Sequence, residues 1–300
     1  MRYQNFVGNG AAFIAAALFG ASVVATRVAV GTIPPLSLAV LRFGQGGLVL
    51  LLFMLIRRPG QLRITLSDLP YLALLGAVLF TIFPITFNVG LKFTEASRGA
   101  LMLSTMPLWS AWFARIAKSE HLIARQITGI ILTLGGVAVV LLERGLTWQG
   151  GMWVLIGDLL MLLTAMCGAL YGVLAQKMLR KYGAIAVTTY AMVIGTLLLL
   201  PASFAEGLPQ ALSKIDAQAA GLILFLGICG GAIGYLLWTL ALAHLTPTQV
   251  AVYVNLNPMV ATILGAALLA ERLSPVFIVC FVAVIMGVLL VNWPTKATVS

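Results

Sequence analysis

Three charged residues lie deep inside otherwise apolar stretches: Arg27, Arg42 and Asp158. At about 1.5 Å per helical residue, Arg27 falls roughly 6 Å inside the end of its apolar run, and Arg42 and Asp158 roughly 9 Å inside theirs. Charges of both signs at one depth admit two chemistries. Paired with one another they form a buried ionic staple, because an unpaired charge in hydrocarbon costs at least ~2.5 kcal/mol. Turned toward a solute, Arg42 or Arg27 attracts a carboxylate and Asp158 carries a proton.

A second set of polar groups gathers around two prolines. Ser104 and Thr105 precede Pro107, and Asn255 and Asn257 precede Pro258. A proline in mid-helix removes a backbone hydrogen bond and kinks the helix. At membrane depth the freed carbonyls persist only when buried in protein or lining a wet cavity. Pro107 and Pro258 therefore read either as packing kinks or as bends in a cavity wall. The neighbouring polar side chains either hold a solute's head group or hydrogen-bond between helices. Aromatic residues with polar handles supply further candidates: Trp109, Tyr171, Tyr235, Trp238 and Tyr253, with Ser22 beside them as a small hydroxyl donor. Trp148, Trp153 and Trp293 sit at the ends of apolar runs and suit an interfacial belt.

Other chemistries find no support in the residues. His121 and His244 lie at run ends with no ligand partners in sequence, and Cys167, Cys229 and Cys280 are dispersed through apolar runs. No Gly-x-x-x-x-Gly-Lys-Ser/Thr loop is present, so neither a metal nor a nucleotide cofactor is expected. An enzyme acting on lipid-linked substrates would need intramembrane acid/His pairs or long functional loops, and this chain has one deep acid and short loops.

The elements that position these residues are membrane helices. The 300-residue chain is 61% hydrophobic and only 9% charged, with mean hydropathy +1.08, whereas soluble domains are about a quarter charged. Ten runs reach the roughly 20 residues a crossing needs: 10–31, 36–56, 69–91, 97–117, 126–142, 152–175, 184–205, 217–241, 248–270 and 274–293. The first run lacks a basic leader and reads as a retained helix rather than a signal peptide. Turn chemistry marks the links, as in Pro34-Pro35, Arg57-Arg58-Pro59-Gly60 and Thr246-Pro247. The net charge of +10 comes from basic loops bordering the membrane rather than from a nucleic-acid-binding face. Of 18 Lys and Arg residues, eleven fall on the side holding both termini and five on the other. That asymmetry places both termini in the cytoplasm.

The second half repeats the first. Residues 75–140 fall on 226–291 at an offset of 151, with twelve identities in 66 positions. The register pairs Leu75-Gly76 with Leu226-Gly227, Pro107 with Pro258, Glu120 with Glu271, and Gly136-Val137 with Gly287-Val288. At an offset of 152, Ala17-Leu18-Phe19-Gly20 falls on Ala169-Leu170-Tyr171-Gly172. Five spans per half is an odd number, so the halves lie oppositely oriented in the bilayer, as in alternating-access transporters. The fold class expected is all-α, ten transmembrane helices as two inverted five-helix repeats, 10–142 and 152–293. Small residues recur at helical spacing in Gly227-x-x-x-Gly231, Gly230-x-x-x-Gly234, Ala16-x-x-x-Gly20 and Gly168-x-x-x-Gly172, which permits close helix approach.

On these features the chain resembles the drug/metabolite transporter superfamily, in its ten-span form built from two EamA repeats. The stretches carrying the resemblance are Leu103-Ser104-Thr105-Met106-Pro107 and Asn255-Leu256-Asn257-Pro258, the loops Ser119-Glu120-His121-Leu122 and Ala270-Glu271-Arg272-Leu273, and Leu41-Arg42-Phe43. A Gly-Glu would be more usual where Ser119-Glu120 stands. The resemblance implies a central cavity built from the first, third and fourth spans and their partners, the sixth, eighth and ninth. It also implies gradient-driven, ATP-independent movement of small organic solutes across the cell membrane, foremost export of amino acids or related metabolites. Export of drug-like or nucleoside-type compounds is the alternative it leaves open. The partners expected are a small-molecule substrate and the lipid bilayer, with the protein a monomer or homodimer. Small four-span relatives couple to protons through a first-span glutamate; no acid occupies that span here.

Overall fold

A computed structural model describes all residues except 1, 95, 121, 144–150, 214, 270–273 and 294–300, and leaves out the side chains of 2–4, 27, 96–98, 141, 143, 265–266 and 268–269. Helix accounts for 90% of the described residues, and no strand occurs among them. Six helical stretches among them are long and apolar enough to cross a membrane: Asn5–Thr26, Pro35–Arg57, Leu66–Phe93, Met152–Glu206, Ala217–His244 and Pro275–Asn292, with a shorter apolar helix at Ala124–Val140. Large apolar side chains such as Phe13, Leu52, Ile131, Leu197 and Val279 stand exposed on the outside. In a chain of this composition they form the lipid-facing surface.

The first helices are α1 (Arg2–Ala29) and α2 (Pro35–Arg57), the latter opened by a proline at its first position. Glu206 secures that start: its Oε2 accepts the backbone N–H groups of Leu36 and Ser37 at 2.7 and 3.0 Å. Next, α3 (Leu69–Gly76) passes through a π segment (Ala77–Ile82) into α4 (Phe83–Phe93). Helix α5 (Ala96–Ser104) stops at Thr105, and α6 (Met106–Ile116) resumes with Pro107 in its first turn. Helix α7 (Ala124–Glu143) precedes α8 (Met152–Glu206), whose 55 residues are two arms divided at Gly183, φ 75° and ψ 171°. Only glycine adopts that backbone readily, so it turns the chain where a continuous apolar pattern would otherwise run on. Either arm exceeds the roughly 20 residues a crossing needs.

After the short α9 (Leu208–Leu212), α10 (Ala217–Phe225) runs through a second π segment (Leu226–Ile233) into α11 (Gly234–His244). Helix α12 (Pro247–Ala251) gives way to a 3-10 turn (Val252–Leu256) and then α13 (Asn257–Leu269); α14 (Pro275–Asn292) is the last. The irregularities recur at the sequence offset of 151. Both π segments end at matched isoleucines, Ile82 and Ile233, the first following the Leu75-Gly76 pair and the second beginning at Leu226. Thr94 and Leu245 end their helices in the same extended conformation, at φ −122° and −119°. The breaks at Thr105 and at Val252–Leu256 fall in matching positions as well.

Glycine lets the helices meet backbone to backbone. A Cβ on Gly129 of α7 would lie 2.7 Å from the Gly287 carbonyl of α14, and one on Gly287 would lie 2.6 Å from that of Gly129. One on Gly136 would lie 3.1 Å from the Cys280 carbonyl. Gly46 of α2 approaches the Gly227 carbonyl and the Ala232 nitrogen in the same way, both at 3.0 Å. Lipid tails are as apolar as these helices, so close packing rather than hydrophobic burial holds them together.

Candidate functional site

Arg42 sits where α1, α2 and the π segment before α11 converge. Its guanidinium carbon lies 5.3 Å from the ring centre of Phe43 and 5.9 Å from that of Tyr235. Beneath it the rings interlock: Tyr235 meets Phe19 at 4.9 Å, Phe80 at 5.0 Å and Phe43 at 5.6 Å, while Trp238 meets Phe19 at 6.0 Å and Tyr171 meets Phe80 at 6.5 Å. Five helical stretches thus contribute to one aromatic cluster with a cation at its edge. Ser22 is buried beside it and donates to the Leu18 carbonyl at 2.7 Å. Gly230 closes the group, for a Cβ there would lie 2.3 Å from Ser22 Oγ and 3.1 Å from Arg42 Nη2.

The helix breaks hold the second set. Thr105 Oγ1 returns to the Met102 carbonyl at 2.6 Å, and Ser104 Oγ to that of Leu101 at 2.7 Å. Across the molecule, Asn255 is fully buried with neither amide atom hydrogen-bonded, and Asn257 Oδ1 is also without a partner. Tyr253 donates to Asn9 Oδ1 at 3.0 Å, and the Tyr171 hydroxyl lies 3.4 Å from that of Thr239. Gly20 seats α1 directly on this region, 2.9 Å separating its Cβ position from the Asn257 carbonyl. Trp109 packs edge-on against Trp112 at 5.9 Å, one turn past the Thr105 break.

Asp158, in the first arm of α8, accepts from the Thr94 hydroxyl at 2.6 Å and is buried. The Gly157 backbone fits against Thr94, its Cβ position 2.8 Å from the Thr94 nitrogen. Arg27, the third charge considered above, has its side chain outside the described residues. The Thr94–Asp158 contact joins stretches 64 residues apart, and a buried carboxylate resists neutral substitution. We expect Asp158→Ala to lower the thermal midpoint of purified protein, by about 1–3 kcal/mol of stability, because the buried Thr94 hydroxyl loses its acceptor, and Asp158→Asn, whose amide oxygen still accepts, to cost less. A midpoint equal to wild type would remove any structural role for it.

Two further contacts join distant elements. Glu120, in the α6–α7 connection, is buried and accepts from the Thr248 backbone N–H at 3.1 Å. Asp68 holds the α2–α3 connection to α8 through the Lys181 ammonium and the Tyr182 hydroxyl. Those two donors keep its carboxyl below the usual carboxylate range.

The structure thus gathers Ser22, Arg42, Tyr171, Tyr235 and Trp238 into one neighbourhood, and sets Thr105, Trp109, Tyr253 and Asn257 along the broken helices. Three members of the aromatic cluster were not anticipated: Phe19, Phe43 and Phe80. A phenylalanine within an apolar run carries no local signal. The alignment of Phe19 with Tyr171 and the place of Phe43 beside Arg42 were the available hints.

Helices of this apolarity, two of them interrupted by buried polar turns, define a multi-pass membrane protein of transporter type. The chain belongs to the EamA-like transporter family, which it matches twice, over residues 6–142 and 155–293. It is 30% identical to the uncharacterized transporter YyaM of Bacillus subtilis over 90% of this chain and 88% of that one. A probable terminal-alkyne amino-acid exporter of Streptantibioticus cattleyicolor is 26% identical, over 79% of this chain and 76% of its own. The uncharacterized inner membrane transporter YedA of Escherichia coli K12 is 25% identical across 100% of this chain and 97% of its own. A solved crystal structure shares the fold at a TM-score of 0.80 and 18% identity, covering 97% of this chain and 96% of that one.

Proposed function

We propose that this protein is a secondary transporter that exports amino acids or related small metabolites by alternating access. Ten spans form two inverted five-helix repeats, 10–142 and 152–293, in the cell membrane with both termini cytoplasmic. The observation that carries the reading is the matched pair of helix breaks, at Thr105 and at Val252–Leu256, with the Asn255 amide and Asn257 Oδ1 unpartnered. Transporters place solute sites at such interruptions, where irregular backbone lines a cavity rather than meeting lipid. Recurrence of the π segments and extended helix ends at the offset of 151 supports the repeat, and the double family match supports it independently. Thr105, Trp109, Tyr171, Tyr235, Tyr253 and Asn257 form the midplane path, and the two repeats rock about it. The amino-acid assignment draws on the exporter of Streptantibioticus cattleyicolor.

Counterflow of labelled amino acids, nucleosides and drug-like cations in proteoliposomes tests the reading. Saturable movement of one class is expected, strongest for amino acids and unaffected by ATP. Movement of none, with no thermal stabilisation by any, would overturn it.

A further inference from the structure

We propose that the α2–α3 connection and the elbow of α8 together form a docking surface for the anionic phospholipid headgroups of the leaflet they border, whatever solute the protein carries. Six cations meet at this corner. Arg57, Arg58 and Arg63 come from the end of α2 and the connection, and Lys177, Arg180 and Lys181 from the stretch of α8 just before Gly183. All six are exposed, so the surface is open to a ligand. Hydrogen bonds clamp the two segments together. Asp68 accepts from the Lys181 ammonium and the Tyr182 hydroxyl. The Thr65 N–H donates to that same hydroxyl at 3.1 Å, and the Tyr190 hydroxyl donates to the Leu62 carbonyl at 2.9 Å. Lys177 Nζ lies 5.2 Å from the ring centre of Tyr71, whose hydroxyl donates to the Leu174 carbonyl at 2.9 Å. The two groups of cations are thereby held as one array.

The array keeps its charge. Across residues 56–71 and 174–190 Asp68 is the one acid, against six cations, and Lys181 and Tyr182 already engage it. None of Arg57, Arg58, Arg63, Lys177 or Arg180 forms an ion pair with a described residue. Depth then selects a lipid over a soluble anion. Arg57 is the last residue of one membrane-length stretch and Leu66 the first of the next, which sets the corner at headgroup level. Ile56 and Leu66 flank the cations with apolar side chains, 74% and 84% exposed. Water disfavours such side chains and acyl chains accept them. Guanidinium forks pair with phosphate oxygens through two parallel hydrogen bonds, and basic side chains at a span end reach the headgroups while their stems stay on apolar surface. A phospholipid satisfies the charge and the apolar flank together, whereas a free phosphate meets the charge alone.

The test titrates purified full-length protein in neutral detergent with dioleoylphosphatidylglycerol and dioleoylphosphatidylcholine, reading bound lipid by native mass spectrometry and stability by melting temperature. The anionic lipid is expected to bind at least 10-fold more tightly than the zwitterionic one and to raise the melting temperature more. Arg58→Gln/Arg63→Gln should weaken it by about 10- to 30-fold, since each cation beside an anionic surface contributes roughly fivefold. Arg115→Gln/Lys118→Gln is the charge-matched control, removing two exposed cations from the end of α6 and the residues after it, and should retain most of the affinity. Equal loss in the two double variants would overturn the site, because total charge alone would then explain the binding. Equal binding of the two lipids by wild type would overturn it without recourse to any variant. Inorganic phosphate that displaces the anionic lipid at equal concentration would overturn the assignment to a lipid.

Discussion

Gly195→Val should yield little or no folded protein. Gly195 lies in the second arm of α8 against Gly76 of α3, and a Cβ there would stand 2.4 Å from the Gly76 carbonyl oxygen and 2.5 Å from Phe80 Cβ. The contact is reciprocal, for a Cβ on Gly76 would lie 2.5 Å from the Ala191 carbonyl and 2.9 Å from the Gly195 nitrogen. Backbone atoms cannot rotate away, so the helices must separate. Separation also breaks the bond from Thr81 Oγ1 to the Gly195 carbonyl, 2.8 Å long, and disturbs Phe80 at the centre of the aromatic cluster. Overpacking costs about 1–3 kcal/mol where side chains can adjust, and more where the backbone must move. Gly221→Val and Gly135→Val are the controls, because nothing lies within 4 Å of either position. The check is the monodisperse fraction and melting temperature in detergent. Equal behaviour of Gly195→Val and Gly221→Val would refute the packing account.

The second large effect is expected at Glu120. Its carboxylate reaches from the α6–α7 connection to the first turn of α12, 128 residues on in the chain. Thr246 and Gln249 already satisfy one another's backbone donors in a capping box, which leaves Thr248 N–H dependent on Glu120. Glu120→Ala strands that donor in a buried place and should cost about 1–3 kcal/mol, while Glu120→Gln, which keeps an acceptor oxygen, should cost less. Burial raises the Glu120 carboxyl above its usual range, against the opposing pull of its hydrogen bonds to Thr248 and Thr246. The folded protein therefore holds this proton to higher pH than the unfolded chain does. The contribution is complete below the unfolded carboxylate value and is lost as pH rises through the folded one. Melting temperatures of wild type and Glu120→Gln between pH 4 and 8 should show the wild-type advantage shrinking as pH rises. An advantage that grows with pH would show that the hydrogen bonds outweigh burial.

Much of the scaffold was legible in the residues. Apolar runs long enough to cross a bilayer must satisfy their backbone internally, so composition and length located helices without reference to partners. Helix α2 at Pro35–Arg57 follows the run 36–56, whereas the runs 97–117 and 248–270 are broken into shorter helices and six stretches among the described residues are long and apolar enough to cross. Gly183 shows the limit. The turn within α8 was placed by the gap between two runs, but its φ of 75° is a backbone choice visible only in the fold. The recurring π segments were beyond reach as well, since π and α turns share one apolar pattern.

For the candidate site the division is sharper. Arg42 could be singled out because a charge among apolar residues is costly wherever it sits, and that cost is a property of the residue and its run. Its surroundings could not be inferred. Ser22, Arg42 and Gly230 come from three separate stretches, and nothing in their local sequence says they flank one point. Gly76 and Gly195, or Glu120 and Thr248, are equally mute about each other, because a glycine or a glutamate looks the same whatever it faces. The sequence by itself determined that this is a membrane bundle with a duplicated pattern, two proline-marked interruptions and rare deep charges. Only the tertiary structure decided which helices touch backbone to backbone and which cation is left with free donors, because such contacts depend on crossing geometry between segments far apart in the chain, as Gly20 and Asn257 are.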